Sequence, residues 1–283
     1  MTAVNATHAR PWPVWRALNP SGRTGLLLLL AAVLLCTVVA GMLQHSPSTM
    51  SEALREPPGA THWLGTDDLG RDVLARVAHG GQISLMVGTF SALIAVLIGV
   101  AVGAACGYLG GTFDAIVMRV TEAFQIIPRF FLALIVVALV GSGIWKIILV
   151  LGLLSWPATA RVVRAQVLVL RKEEFVLAAI MGGASTFRVI GRHILPNVVP
   201  IIAVSASLQA GSAILLESFI SFLGLGDVAH PSWGLLLQQG QLFIRDGWWI
   251  STFPGLALSL TILGLNLLGD GIRAAHGDSA STS

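Results

Sequence analysis

Apolar residues run on for about 20 positions or more at about 25–43, 83–109, 115–140, 144–165, 198–223 and 250–272. A hydrocarbon core about 30 Å thick offers the backbone no hydrogen-bonding partner. A segment that crosses it must satisfy its own peptide groups as an α-helix of about 20 residues. The runs are continuous rather than alternating, which excludes a membrane β-barrel. The expected class is therefore an all-α integral membrane protein with six transmembrane helices. Only 11% of the 283 residues are charged, where soluble domains carry roughly a quarter. The third run is the least uniform, with Arg119, Glu122 and Arg129 in its first half.

The first run, Gly25 to Leu43, exceeds the roughly 7–15 apolar residues of a signal peptide, so it is expected to be a retained span despite the cleavage-like Val38-Val39-Ala40. With the N-terminus inside, the cytoplasmic segments hold Arg10, Arg16, Arg23, Arg161, Arg164, Arg171, Lys172, Arg188, Arg192 and Arg273. The outer segments hold Arg55, Arg71, Arg76, Lys146 and Arg245. Ten against five places both termini in the cytoplasm. The chain then divides into a cytoplasmic segment 1–24, a transmembrane domain 25–273 and a short tail 274–283. A net charge of +3 without a Lys/Arg run gives no reason to expect nucleic acid. Cys36 and Cys106 lie in apolar runs and read as small packing residues rather than a disulfide.

One stretch, about 171–197, is too polar for lipid yet regular. Lys172–Met181 reads as a short helix with Phe175, Ala178 and Ala179 on one face. Gly182-Gly183 ends it, and Ser185 is placed to cap a second helix. There Phe187, Ile190 and Ile194 share one face, Arg188 and Arg192 share another, and Pro196 is expected to stop the helix. A helix pair with an apolar and a charged edge suits a partner's groove, or equally an interfacial hairpin resting on the bilayer.

The spacing Ala178-Ala179, Gly183, His193-Ile194-Leu195-Pro196 resembles the EAA loop of ATP-binding-cassette importer permeases. Leu177 stands in place of that family's glutamate and His193 in place of its isoleucine. Both departures resemble the peptide/nickel subfamily, in which the acid lies earlier, here Glu173 or Glu174, and a string like Arg192–Asn197 recurs. Leu64–Asp72, Gly107–Gly111 with Asp114, Met118-Arg119 and Glu122, Ser221–Gly226 with Ser232-Trp-Gly234, and Asn266–Gly271 resemble further motifs of that subfamily. The resemblance covers roughly residues 60–273; Ala274–Gly277 replaces the Asp-Pro-Arg common near the family's C-terminus.

The resemblance implies a type I importer fold and the C-type permease subunit of a dipeptide or oligopeptide importer, or of one for nickel or a metal chelate. It implies a bacterial plasma membrane, a second, B-type permease, two ATPase subunits and an external solute-binding protein. The residues expected to couple to the ATPase are Glu173, Glu174, Ala178, Ala179, Gly183, Arg188, Arg192, His193 and Pro196.

Beyond that resemblance, the residues set limits on chemistry. A phosphate-binding loop needs Gly-Lys-Ser/Thr, whereas Lys146 and Lys172 follow Trp145 and Arg171. ATP and magnesium are thus expected on partner subunits, and no cofactor on this chain. His62, His79, His193 and His230 are scattered, which argues against a metal site. No Ser/His, paired-Asp or His-Glu-x-x-His arrangement lies in the runs, so no enzyme is expected. A proton-coupled secondary transporter is the alternative class, but no inverted repeat is evident. Glu122 and Glu217 are candidate translocation-path residues, because an ionisable group in lipid is costly unless paired or wet. For Glu122 the competing reading is an i, i+3 pair with Arg119. Asp270 and Arg273 are expected to pair or snorkel, and Trp233, Trp248 and Trp249 to anchor at the interface.

Overall fold

A computed structural model of the chain describes residues 18–42 and 47–281, with side chains to residue 275. Its helices are α1 (Pro20–Met42), α2 (Val73–Leu109), α3 (Gly111–Ala123), α4 (Arg129–Val140), α5 (Ile144–Leu170), α6 (Glu174–Met181), α7 (Thr186–Leu225), α8 (Trp233–Gly240) and α9 (Trp248–Ser281). Among them α1, α2, α5, α7 and α9 are long and apolar enough to cross a membrane. The all-α membrane class expected from the apolar runs is the observed one.

The third run departs from its expected form. It is two helices of 13 and 12 residues, joined at 124–128, and neither is long enough to cross alone. Pro128, held extended, disfavours a helical Ile127 and cannot donate to an earlier carbonyl, so the helix must restart at Arg129. The second run starts ten residues before the apolar stretch does, because Asp72 caps α2 through the Ala75 amide at 2.9 Å.

Lipid tails are as apolar as the helices, so helix association relies on close packing. The main seam joins α2 to α5 along Gly99, Gly103 and Gly107, spaced four apart. A Cβ at Gly103 would sit 2.5 Å from the Ala160 carbonyl oxygen, and one at Gly107 2.7 Å from Val167 Cβ. A similar seam joins α1 to α9, where a Cβ at Gly25 would lie 2.6 Å from the Leu268 nitrogen. Between these pairs, α7 packs on α2 and α9. Near the far end of α1 a single wide turn at Leu35–Val39 exposes the Cys36 carbonyl, which accepts from Gln82 Nε2 of α2 at 2.6 Å.

Pro196 does not stop its helix. α7 runs from Thr186 through to Leu225, departing from helical angles only in its last turn, at Gly224 with φ +85°. A wide turn at Ile190–Ile194 makes this possible: the Leu195 amide donates to the Ile190 carbonyl, five residues back. The shifted register opens the position where the proline ring would otherwise meet a carbonyl of the preceding turn. The expected free-standing helix pair is therefore one short helix, α6, followed by the first turns of a membrane-length one.

Candidate functional site

The corner between α6 and α7 is built from local rules. Glu173 occupies the N-cap of α6, and Glu174 follows in its first turn, where a carboxylate suits the positive helix end. Gly183 closes α6 at φ +79°, with the Ala184 amide donating to the Ala179 carbonyl at 3.1 Å and the Gly183 amide to the Ile180 carbonyl at 3.0 Å. This paired closure needs a left-handed residue, and glycine takes it without strain. Ser185 stands at the N-cap of α7, but its side chain accepts no capping bond.

What holds the corner is its inner edge. Val176 of α6 and Val189 and Ile194 of α7 are fully buried against Ala104 of α2, Val163 and Val167 of α5, and Val198. Burying a side chain of this size is worth about 1.5–3 kcal/mol, so the corner is seated on the ends of α2 and α5. The outer edge is apolar and uncovered. Phe175, Leu177 and Ile180 are more than two-fifths exposed, Met181 is 84% and Phe187 90% exposed. Here the expected face is corrected: Phe187 does not pack with Ile194, because Val189 takes the inward position and turns Phe187 away. Glu173, Glu174, Ala178, Gly183, Arg188, Arg192 and Pro196 are all exposed, while Ala179 and His193 are half-buried. All nine candidate coupling residues thus gather on or beside one corner.

Two arginines brace the frame beneath it. Arg164 Nε and Nη2 donate to Asp114 Oδ1 and Oδ2 at 2.5 and 2.6 Å, tying α5 to α3 in the paired geometry that suits a guanidinium. Arg171 Nη1 donates to the Tyr108 carbonyl at 2.8 Å, tying the end of α5 to the end of α2. The Gly107–Asp114 motif is thereby accounted for as a junction. Asp114 was visible in the sequence; its partner 50 residues away was not.

The candidate path acids are not brought together. Glu122 is exposed on α3 and lies 3.8 Å from Arg119. Glu217 on α7 is buried, with Ser221 Oγ donating to its Oε1 at 2.6 Å, while Oε2 has no hydrogen-bond partner among the described residues. Arg129 forms a polar centre that the sequence reading left without a role. Its Nη1 lies 3.3 Å from both Ser155 Oγ of α5 and Gln209 Oε1 of α7. Clefts of about 190 and 270 Å³ open beside it. The available signal was a cation directly after Pro128 and ahead of an uninterrupted apolar run.

At the opposite end of the helices, the Leu64–Asp72 motif folds into a clasp. Asp67 is fully buried and accepts from Arg71 Nε at 2.7 Å, from the Leu69 and Arg71 amides, and from Arg76 Nη1. Arg76 Nη2 continues to Gln239 Oε1 of α8 at 2.6 Å. Trp233 is not an interfacial anchor. It is fully buried against Gly81 of α2, and its Nε1 donates to the Val77 carbonyl at 2.8 Å. Trp249 is likewise buried, donating to the Thr66 carbonyl at 3.0 Å, and only Trp248 stays half exposed. Asp270 and Arg273 do pair, at 3.7 Å. Among the described residues His62, His79 and His230 each take a separate local partner, and no three His, Cys, Asp or Glu side chains converge.

Comparison with known proteins bears on this architecture. The chain is 41% identical over 268 residues to the dipeptide transport system permease protein DppC of Bacillus subtilis, covering 92% of this chain and 83% of that one. It is 44% identical over 215 residues to the oligopeptide transport system permease protein OppC of Haemophilus influenzae, with 76% and 69% covered. It is 38% identical over 258 residues to the probable D,D-dipeptide transport system permease protein DdpC of Escherichia coli, with 90% and 86% covered. Residues 80–279 match a family of membrane-embedded transport subunits, and that match takes in the α2–α5 seam, the α6–α7 corner and the Arg129 centre. The chain belongs to the binding-protein-dependent transport system inner membrane components.

Proposed function

We propose that this chain is the C-type permease subunit of a peptide importer. It lines half of a path with a B-type permease, receives peptides from an external binding protein, and is driven by two ATPase subunits. Both termini lie in the cytoplasm, and ATP and magnesium bind to the ATPases rather than here. The observation that carries this reading is the α6–α7 corner: an apolar outer edge, rimmed by Glu173, Glu174, Arg188 and Arg192, on a unit whose inner edge is fully packed. A rim of both charge signs around exposed Phe175, Met181 and Phe187 suits a protein groove better than a lipid surface, which takes an apolar face with a largely basic border. The relatives named as dipeptide and oligopeptide permeases favour peptides over metal chelates.

The proposed coupling is mechanical, and the length of α7 supports it. α7 carries the corner at one end and Gln209 and Glu217 further along, and its 40 residues span about 60 Å at 1.5 Å per residue. A displacement of the seated corner is therefore delivered along one helix to the membrane interior. The wide turn at Ile190–Ile194 and Pro200 are the points where α7 can bend. The chain's own part is mechanical: it holds the corner, transmits its movement and lines the path.

The test is reconstitution of the four-subunit membrane complex in proteoliposomes with the binding protein. Peptide uptake that requires ATP on the corner side supports the proposal. Uptake by this chain without the ATPases, or recovery of homodimers alone from native membranes, would refute it.

A further inference from the structure

The Arg129 centre lies away from the α6–α7 corner and belongs to the middle of the membrane. α5 begins at Ile144, and Ser155 is eleven residues along it, about 16 Å at 1.5 Å per residue, with a further ~22 Å to Leu170. Gln209 sits centrally in the membrane part of α7. A guanidinium at this depth is costly unless an anion, a neighbouring dipole or water compensates it. The described residues supply only neutral partners. Ser155 Oγ and Gln209 Oε1 flank Nη1, and no carboxylate lies within ion-pair distance of Arg129.

The partners are themselves fixed. Gln209 is 7% exposed, and its Nε2 donates to the Ser155 carbonyl at 2.7 Å and to Thr159 Oγ1 at 3.4 Å. Its carbonyl is thus held towards Arg129, and Ser155 Oγ is held by the Leu151 carbonyl at 2.6 Å. A guanidinium has five donors, and these two oxygens both meet Nη1, so its other N–H groups remain available. The clefts beside it have mixed linings: Phe124, Leu154 and Pro157 with Gln125 on one side, and Val162 and Leu208 with uncharged Thr159, Ser205 and Ser212 on the other. Fork-shaped donors fixed at one point, beside walls that are uncharged apart from Arg129 and mix apolar with small polar groups, match a carboxylate carrying side chains of varied chemistry.

We propose that Arg129, oriented by Gln209 and Ser155, binds the C-terminal carboxylate of a peptide in transit. This rests on the peptide reading above. The carboxylate end is recognised because every unmodified peptide has one, whereas walls that mix apolar and small neutral polar groups place little demand on the side chains.

The experiment uses the assembled transporter in proteoliposomes, with its binding protein saturated by a peptide or by the same peptide as a C-terminal amide. Maximal uptake rates are compared for the wild type, Arg129→Gln and Arg129→Lys. We expect the wild type to move the free acid at least tenfold faster than the amide. Arg129→Gln should lower free-acid transport about tenfold and leave the amide unchanged, and Arg129→Lys should restore part of the difference. A parallel fall for acid and amide would overturn the proposal. If the complex is also recovered poorly, Arg129 instead pairs with an acid of the second permease. Unchanged rates for both substrates would overturn it too. A wild type that moves neither peptide would overturn the peptide reading and this inference together, a result distinct from loss of acid-over-amide preference.

Discussion

Replacing Gly183 separates the geometry of the corner from its chemistry. At φ +79° an ordinary L-residue costs about 1–2 kcal/mol, partly offset by about 0.4–1 kcal/mol from a stiffer unfolded chain. A Cβ there would meet no atom of the described residues within 4 Å, so packing among them adds nothing to the cost. The net effect for Gly183→Ala is about 1 kcal/mol, a factor of about five in the ratio of native to altered corner and so the upper limit of any loss in binding. That is small against the burial of Val176, Val189 and Ile194, at about 1.5–3 kcal/mol each. The variant should therefore insert and accumulate normally while binding its ATPase up to about fivefold more weakly. Gly183→Asn, which tolerates this backbone region, should behave almost as the wild type. Gly183→Val should be worst of the three, since a β-branched residue at positive φ is an outlier. Gly183→Asp shares the backbone tolerance of Asn but puts a charge on the exposed edge, so any excess loss over Asn reports electrostatics at the docked face. The assays are membrane abundance, ATPase pull-down and uptake. Equal pull-down for the Asn, Ala and Val variants would refute the claim that the left-handed angle at Gly183 sets the corner.

Gly103→Val should drive Cβ against the Ala160 carbonyl, part the α2–α5 seam and destabilise the domain by about 1–3 kcal/mol; an unchanged midpoint of thermal unfolding in detergent would contradict this. For the Arg164–Asp114 tie, alanine at each position and at both should give a coupling of about 1–2 kcal/mol in a double-mutant cycle, reduced from a buried value because Arg164 is partly solvated; additive single effects would show that the two helices are held by packing alone. Asp227 binds the Ile144 amide at 3.1 Å and so caps the start of α5. Burial raises its pKa, but hydrogen bonds from His230 and from the Ile144 and Ala229 amides lower it further, leaving it below the ordinary aspartate value. A depressed folded pKa means that the stabilisation is present above the unfolded value near 4 and is lost as pH falls through the folded one. Amide exchange at Ile144, corrected for its intrinsic pH dependence, should lose protection only below about pH 4, and Asp227→Asn should abolish that dependence.

The sequence made the membrane class, most span positions and the α6–α7 corner legible because each rests on a local signal. Long apolar runs report helices in lipid, and Gly182-Gly183 reports a helix stop. What escaped depended on contacts between distant residues or on hydrogen-bond register. Pro196 reads as a stop only if the preceding turn is regular, and the wide turn at Ile190–Ile194 cannot be inferred from propensity. Trp233 reads as an interfacial anchor until Gly81, about 150 residues earlier, leaves room for its ring. The expectation that Phe187 would share a face with Ile190 and Ile194 assumed an unbroken 3.6-residue period, whereas Val189 joins Ile194 on the buried side. Arg129 was noted only as a blemish in an apolar run, because Ser155 and Gln209 converge on it from two other helices.

The seam between α1 and α9 also sets a timetable. Gly25 finds its partner at Leu268, about 240 residues later in the chain. At the ~5–20 residues per second of synthesis, α1 waits roughly 12–50 s in the bilayer before that partner emerges. It must therefore endure with its glycine face in lipid, and its central stretch is the most apolar of the five long helices. The glycine notch that later admits α9 costs little during that wait, since lipid tails can fill it. Closing the two ends of the chain on each other then makes completion of the last helix the event that shuts the bundle. A ribosome stalled before Leu268 would leave α1 held only at its Cys36 end, against Gly81 and Gln82 of α2, a half-built product with an open lipid-facing groove for quality-control proteases to find.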